Sequence, residues 1–159
     1  MGQLGQSSSA MQLTRAADYA LRVMIHLATL PAGQRALLPA LACATEAPKS
    51  FLSKILQALC RAGFIASQRG QSGGFQILAS GRQASIRAVI EAIDGPISLN
   101  LCLISGASCK RSSQCPAHPV WVRAQEAMLE VLSTATVAEL AQGNLPCLLY
   151  TSQSDSESR

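Results

Sequence analysis

The sequence predicts a mainly α-helical chain that carries one small β-hairpin and a long helix towards its C-terminal end. Three observations predict it. Apolar residues recur at spacings of three and four through most of the first sixty residues and again after residue 118. A glycine-rich turn, "RGQSGG", separates two short runs rich in aromatic and β-branched residues. A loop holding three cysteines divides the last long periodic stretch from everything before it.

The elements follow in order. "TRAADYALRVMIHLATL" is an amphipathic helix, with Thr14 as its cap and Ala17, Leu21, Met24 and Leu27 or Ala28 on one face. Pro31 and Gly33 end it. "LLPALACAT" is a short helix with Pro39 near its first turn. "PKSFLSKILQALCRAG" is a third, started by Pro48 and stopped by Gly63. Its inward stripe is Leu52, Ile55, Leu56 and Leu59, and Lys49, Ser50, Ser53 and Lys54 point away. "FIASQRGQSGGFQIL" changes period and forms the hairpin. "SIRAVIEAIDG" returns to helix, with Ser85 as cap and Gly95 as stop. From about Pro119 a long helix places Trp121, Ala124, Met128, Val131 and Ala135 on a heptad-like seam suited to pairing with another helix. Thr136 to Glu139 reads as a capping box for a last short helix ending at Gly143.

Two helices joined by a tight break and followed by a hairpin make a winged helix-turn-helix. The expected organisation is a lead-in over 1–10 and a DNA-binding domain over 11–95. A cluster-binding loop over 96–118, a dimerisation helix with its short final helix over 119–143, and a tail over 144–159 complete it. Lead-in and tail are expected to be disordered, since Gly, Gln and Ser bury little apolar surface. With 48% apolar and 14% charged residues, the 159-residue chain has material for one core. It has no apolar run long enough for a membrane span. "MGQLGQSSSA" has neither the basic nor the apolar region of a secretory leader, and Gln6 breaks the myristoylation pattern. A reducing, cytoplasmic setting is expected, where clustered cysteines read as ligands or redox centres.

Charge is unevenly spread. Residues 11–90 carry nine Lys/Arg against two Asp/Glu, a net of +7, and residues 91–159 carry a net of −3. The first half therefore suits a polyanion. Double-stranded DNA is the expected partner, with the third helix in a major groove through Lys49, Ser50, Ser53 and Lys54. The wing would carry Gln71, and its glycines would leave Arg69 free to enter a minor groove. A solvated basic face and an ordinary glycine turn are the plainer alternatives.

In "CLISGASCKRSSQCPAH", six residues separate Cys102 from Cys109, five separate Cys109 from Cys115, and two separate Cys115 from His118. Thiolates are soft ligands for zinc, copper(I) or iron–sulfur clusters. Zinc sites favour pairs two to four residues apart, so these gaps suit a larger object wrapped by the chain. Lys110 and Arg111 would offset part of its negative charge. A structural zinc, a loop disulfide with a spare thiol, and redox-active or merely exposed cysteines are the alternatives. Cys43, Cys60 and Cys147 read as core or neutral, and His26 as structural.

On these residues the chain resembles the Rrf-two family of bacterial winged-helix regulators, over about residues 11–143. The opening "MQLTRAADYALRVMIHLATLPAG", the strand and turn "IASQRGQSGGF" and the three-cysteine loop follow the family's order. The resemblance implies a non-enzymatic transcriptional regulator acting as a homodimer, and a repressor is expected. Its DNA affinity would be governed by an iron–sulfur cluster sensing iron supply, nitric oxide or redox state. It implies Cys102, Cys109 and Cys115 as cluster ligands. Asp18 matches an aspartate that NsrR-like members lend from the partner subunit, and His118 matches a histidine used by IscR-like members. Asp18 is the preferred fourth ligand and a 4Fe–4S cluster is preferred to 2Fe–2S. The first cysteine gap is longer than is common in either subgroup. Ser53 stands where IscR-like members carry an acidic residue. A cluster-free thiol- or ligand-sensing regulator of the same fold, and an iron–sulfur electron carrier, are the rival readings.

Overall fold

A computed structural model of the chain describes residues 13–104, 109, 111 and 113–143. Helix α1 (Arg15–Thr29) begins where the Thr14 hydroxyl accepts the Ala17 N–H at 3.2 Å. This satisfies one donor of the open first turn. Ala17, Ala20, Val23, Met24, Leu27 and Ala28 form its buried stripe. The helix stops at Leu30, ahead of Pro31. Its last carbonyls, which no helical N–H can reach, are taken over from elsewhere in the chain. Arg82 donates from Nη1 to the Ala28 oxygen at 2.8 Å and from Nη2 to the Leu30 oxygen at 3.0 Å.

Helices α2 (Leu38–Thr45) and α3 (Lys49–Arg61) form the helix-turn-helix. The turn hinges on Glu46, which adopts a left-handed conformation at φ 55°. Thr45, buried just before it, donates its hydroxyl to the Leu41 oxygen at 2.6 Å and so needs no other partner. Leu52, Ile55, Leu56 and Leu59 are the buried face of α3, as the sequence predicts.

Strands β1 (Ile65–Gln68) and β2 (Gly74–Ile77) pair antiparallel, with Ile65 opposite Ile77 and Gln68 opposite Gly74. A third segment joins them. The Ala36 N–H donates to the Phe75 oxygen and the Phe75 N–H to the Ala36 oxygen, both at 2.9 Å. Next comes α4 (Ala79–Gln83), a helix the sequence reading does not contain. Helix α5 (Ile86–Asp94) is capped by Ser85 as expected. Asp94 then accepts the Thr14 hydroxyl at 2.7 Å, so the end of α5 is tied to the start of α1.

Beyond a 3₁₀ turn at Leu101–Leu103, helix α6 (His118–Thr134) starts one residue before the expected Pro119, which occupies its first turn. The predicted seam is one residue too long. The helix ends at Thr134, and Ala135 is extended and buried. The reason is a backbone connection: Ala135 accepts the Ile86 N–H, and Ala84 accepts the Val137 N–H, both at 2.9 Å. Helix α7 (Val137–Ala141) carries the expected Thr136–Glu139 capping box. It returns to the head, where Val137 lies wholly buried in the same core as Met24, Leu41, Leu56 and Val89.

Candidate nucleic-acid interface and cysteine loop

The first turns of α3 present Lys49, Ser50 and Lys54 to solvent, because the inward stripe of this helix consumes the opposite face. Ser53 is half-buried, and its hydroxyl donates back to the Lys49 oxygen at 3.1 Å. Across from α3, Arg69 and Gln71 stand exposed at the wing tip. A groove of about 480 Å³ runs between the two, with Ser53, Gln57 and Arg61 on the helix side and Ser67, Gln68 and Arg69 on the wing side. Leu56, Cys60 and Phe75 also line it. Of the predicted helix and wing residues, Ser53 and Arg69 line this groove, while Lys49, Ser50, Lys54 and Gln71 are exposed outside its lining. The sequence reading misses Gln57 and Arg61, although both follow from Ser53 at helical spacings of four.

It also misses Arg35. This residue lies in the connection between α1 and α2, and its guanidinium donates to the Gln68 side-chain oxygen at the end of β1. Nothing local in "AGQRALL" signals that contact, because it depends on the third segment of the wing.

The cysteine loop is described in part. Cys102 and Cys115 are half-buried and Cys109 is exposed. Ser105–Ser108, Lys110 and Ser112 lie outside the described residues, as does Cys147. Among the described residues no three His, Cys, Asp or Glu side chains are gathered so as to hold a metal ion. His118 is the first residue of α6, and its N–H donates to the Cys115 oxygen at 3.1 Å. Its Nδ1 is buried and has no hydrogen-bond partner among the described residues. Asp18 sits on the first turn of α1 in an ion pair with Arg22 at 2.9 Å, both side chains about half exposed. Arg22 also reaches the Thr45 oxygen at 3.5 Å and lies 5.8 Å from the centre of the Tyr19 ring. Cys60 packs part-buried against the core and Cys43 is exposed.

Helix α6 exposes Val120, Trp121 and Val131, and Leu101 and Ile104 are exposed ahead of it. No helix among the described residues is long and apolar enough to cross a membrane.

Comparison with known proteins agrees with this architecture. The family model Rrf2, described as an iron-dependent transcriptional regulator, matches residues 13–143. Two relatives from Mycobacterium tuberculosis, named as candidate HTH-type transcriptional regulators, are 32% identical over 136 residues, which is 86% of this chain and 84% of each. Among solved structures, CymR of Bacillus subtilis, titled the global cysteine regulator, is 25% identical with a TM-score of 0.67, over 84% of this chain and 98% of that one. CymR of Staphylococcus aureus is 28% identical with a TM-score of 0.65, over 81% and 97%. IscR of T. potens shares the fold, at 20% identity and a TM-score of 0.62 over 89% and 94%. The helix-turn-helix, the hairpin wing and the long following helix are those of a non-enzymatic transcription regulator, and the chain belongs to the Rrf2 family.

Proposed function

We propose that this regulator binds DNA as a homodimer and that an iron–sulfur cluster in the 102–118 loop sets its DNA affinity. The observation that carries the cluster is the Nδ1 of His118, three positions after Cys115, which is buried and unpartnered among the described residues. A buried polar atom without a partner costs about 1–3 kcal/mol, which ligation would recover. Three thiolates and this imidazole are a donor set that soft iron–sulfur centres accept. Asp18 is the other candidate, lent to the partner subunit. Its half-exposed ion pair with Arg22 is worth no more than about 1 kcal/mol and would yield to a ligand, but nothing about Asp18 is left unsatisfied. The energetics therefore favour His118. When bound, the cluster supplies a centre that nitric oxide, oxidants or iron shortage can attack.

The chain's own residues supply the rest. Lys49, Lys54 and Arg69 neutralise phosphates or enter a groove, and Ser50, Ser53 and Gln71 lie beside them. The exposed face of α6, from Val120 through Trp121 to Val131, is the surface a second copy would cover. A cluster-free thiol sensor is the second reading. It is favoured by the likeness to CymR, one of whose solved forms is oxidized.

Purification without oxygen, followed by iron and sulfide analysis, tests the two. A cluster gives coloured protein that loses its colour in Cys102→Ser, Cys109→Ser or Cys115→Ser but not in Cys43→Ser or Cys60→Ser. His118→Ala then alters the spectrum more than Asp18→Ala. Colourless protein without sulfide, still able to bind DNA and losing it on thiol oxidation, selects the second reading.

A further inference from the structure

A hairpin of four-residue strands is marginal by itself. This wing is held by the segment that leads into α2. Ala36 and Phe75 exchange two backbone hydrogen bonds at 2.9 Å, and the approach is close enough to dictate sequence. A Cβ on Gly74 would lie 2.7 Å from the Ala36 oxygen, so any side chain there would push the segment off. Beside this ladder Arg35 donates to the Gln68 side chain, one residue before Arg69. Arg69 itself is exposed and has no hydrogen-bond or ion-pair partner among the described residues, so what the fold can hold in place is its backbone.

We infer that Arg35 is a positioning residue of the wing: through Gln68 it fixes the backbone from which Arg69 reaches DNA. This rests on the DNA-binding reading above. Arg35 is part-buried while Arg69 is exposed, which separates the strut from the contact. A guanidinium suits the role, since it can hold an amide oxygen in fixed geometry and still keep donors for solvent.

The test uses the full chain and a duplex retained by the wild type from a random pool. Arg35→Ala, Gln68→Ala and Arg69→Ala are each expected to weaken binding about tenfold, the low end of what one groove contact is worth. The double variant Arg35→Ala/Gln68→Ala should be no weaker than either alone. Neither change should cost anything further in an Arg69→Ala background, because coupled residues are not additive. The charge-neutral Gln68→Ala should leave the salt slope as it is, and amide exchange at Phe75 should quicken in both Arg35→Ala and Gln68→Ala. Wild-type affinity in Gln68→Ala, or losses that multiply in the double variant, would overturn the strut and make Arg35 a direct contact or a bystander. If the wild type retains no duplex, the DNA reading itself fails and the strut falls with it.

Discussion

Replacing Gly81 by alanine sets two effects of opposite sign against each other. Gly81 lies inside α4, where alanine is the better helix former by about 1 kcal/mol. On propensity alone Gly81→Ala would stabilise the chain. Packing says the reverse. A Cβ at this position would lie 2.1 Å from the Phe64 carbonyl oxygen, 2.9 Å from its carbon and 3.1 Å from Cγ1 of Ile77. An ordinary close carbon–oxygen contact is about 3.3–3.6 Å, so the overlap exceeds about 1 Å. The oxygen cannot swing away freely, because it accepts the Leu78 N–H at 3.0 Å, and Ile77 is buried. Overpacking of this kind costs about 3 kcal/mol, and set against the propensity gain it leaves a net loss of about 2 kcal/mol. For a chain of this size that is a fall of roughly 4–8 °C in Tm. Equilibrium urea unfolding followed by far-ultraviolet circular dichroism measures it. Gln83→Ala, on the same helix but exposed, should move the midpoint little and serves as control. A Gly81→Ala midpoint equal to or above wild type would refute the argument and show that α4 is free to lift from the base of the wing.

Two further outcomes follow from single residues. Glu46 holds a left-handed conformation that side chains with a Cβ resist, so Glu46→Gly should raise stability by about 0.5–1 kcal/mol in the same urea assay; a loss would mean that its side chain contributes more than the strain. Hydrogen bonds from the Thr136 N–H and hydroxyl, both at 2.8 Å, hold the Glu139 carboxyl below its ordinary value of 4.5. A lowered folded-state value means that this contribution is present above pH 4.5 and is lost as pH falls through the folded value, so amide exchange in α7 should quicken in acid, and Glu139→Gln should flatten that dependence.

Much of this was legible in the chain because local rules decide it. Thr14, Ser85 and Thr136 announce helix starts by side-chain chemistry that acts over three residues, and all three caps are present. The stripe on α3 and the glycine turn of the wing are equally local. What the sequence hides is set by partners far along the chain. "ASGRQ" has no periodicity and contains glycine, yet it is helical, because Gly81 can sit against Phe64 where a larger residue could not. Ala135 continues the apolar spacing of α6 but leaves the helix to pair with Ile86. Arg82, about fifty residues on from the helix, closes the end of α1. In the candidate site the exposed cations of α3 and the wing were legible from amphipathic spacing. Arg35 was not, since its role depends on a bridge to Phe75 forty residues away. The Asp18–Arg22 pair has the i, i+4 spacing any helix shows, and only the fold reveals that Arg22 also reaches Thr45 at the helix-turn-helix break.

The backbone pairing of Ala135 with Ile86 and of Val137 with Ala84 ties the C-terminal end of α6 directly to the head. Helix α6 is therefore a lever whose fulcrum lies beside α5 and whose far end is His118. Seventeen residues make an arm of about 25 Å. A displacement of about 2 Å at the cysteine-loop end corresponds to a tilt of about 5° at the fulcrum, with no bending of the arm. If a second copy lies along α6, that tilt turns each head as a rigid piece. The two recognition helices then move together against half-sites spaced by about one helical turn of DNA. A rearrangement too small to reshape either head would still put both out of register with the duplex.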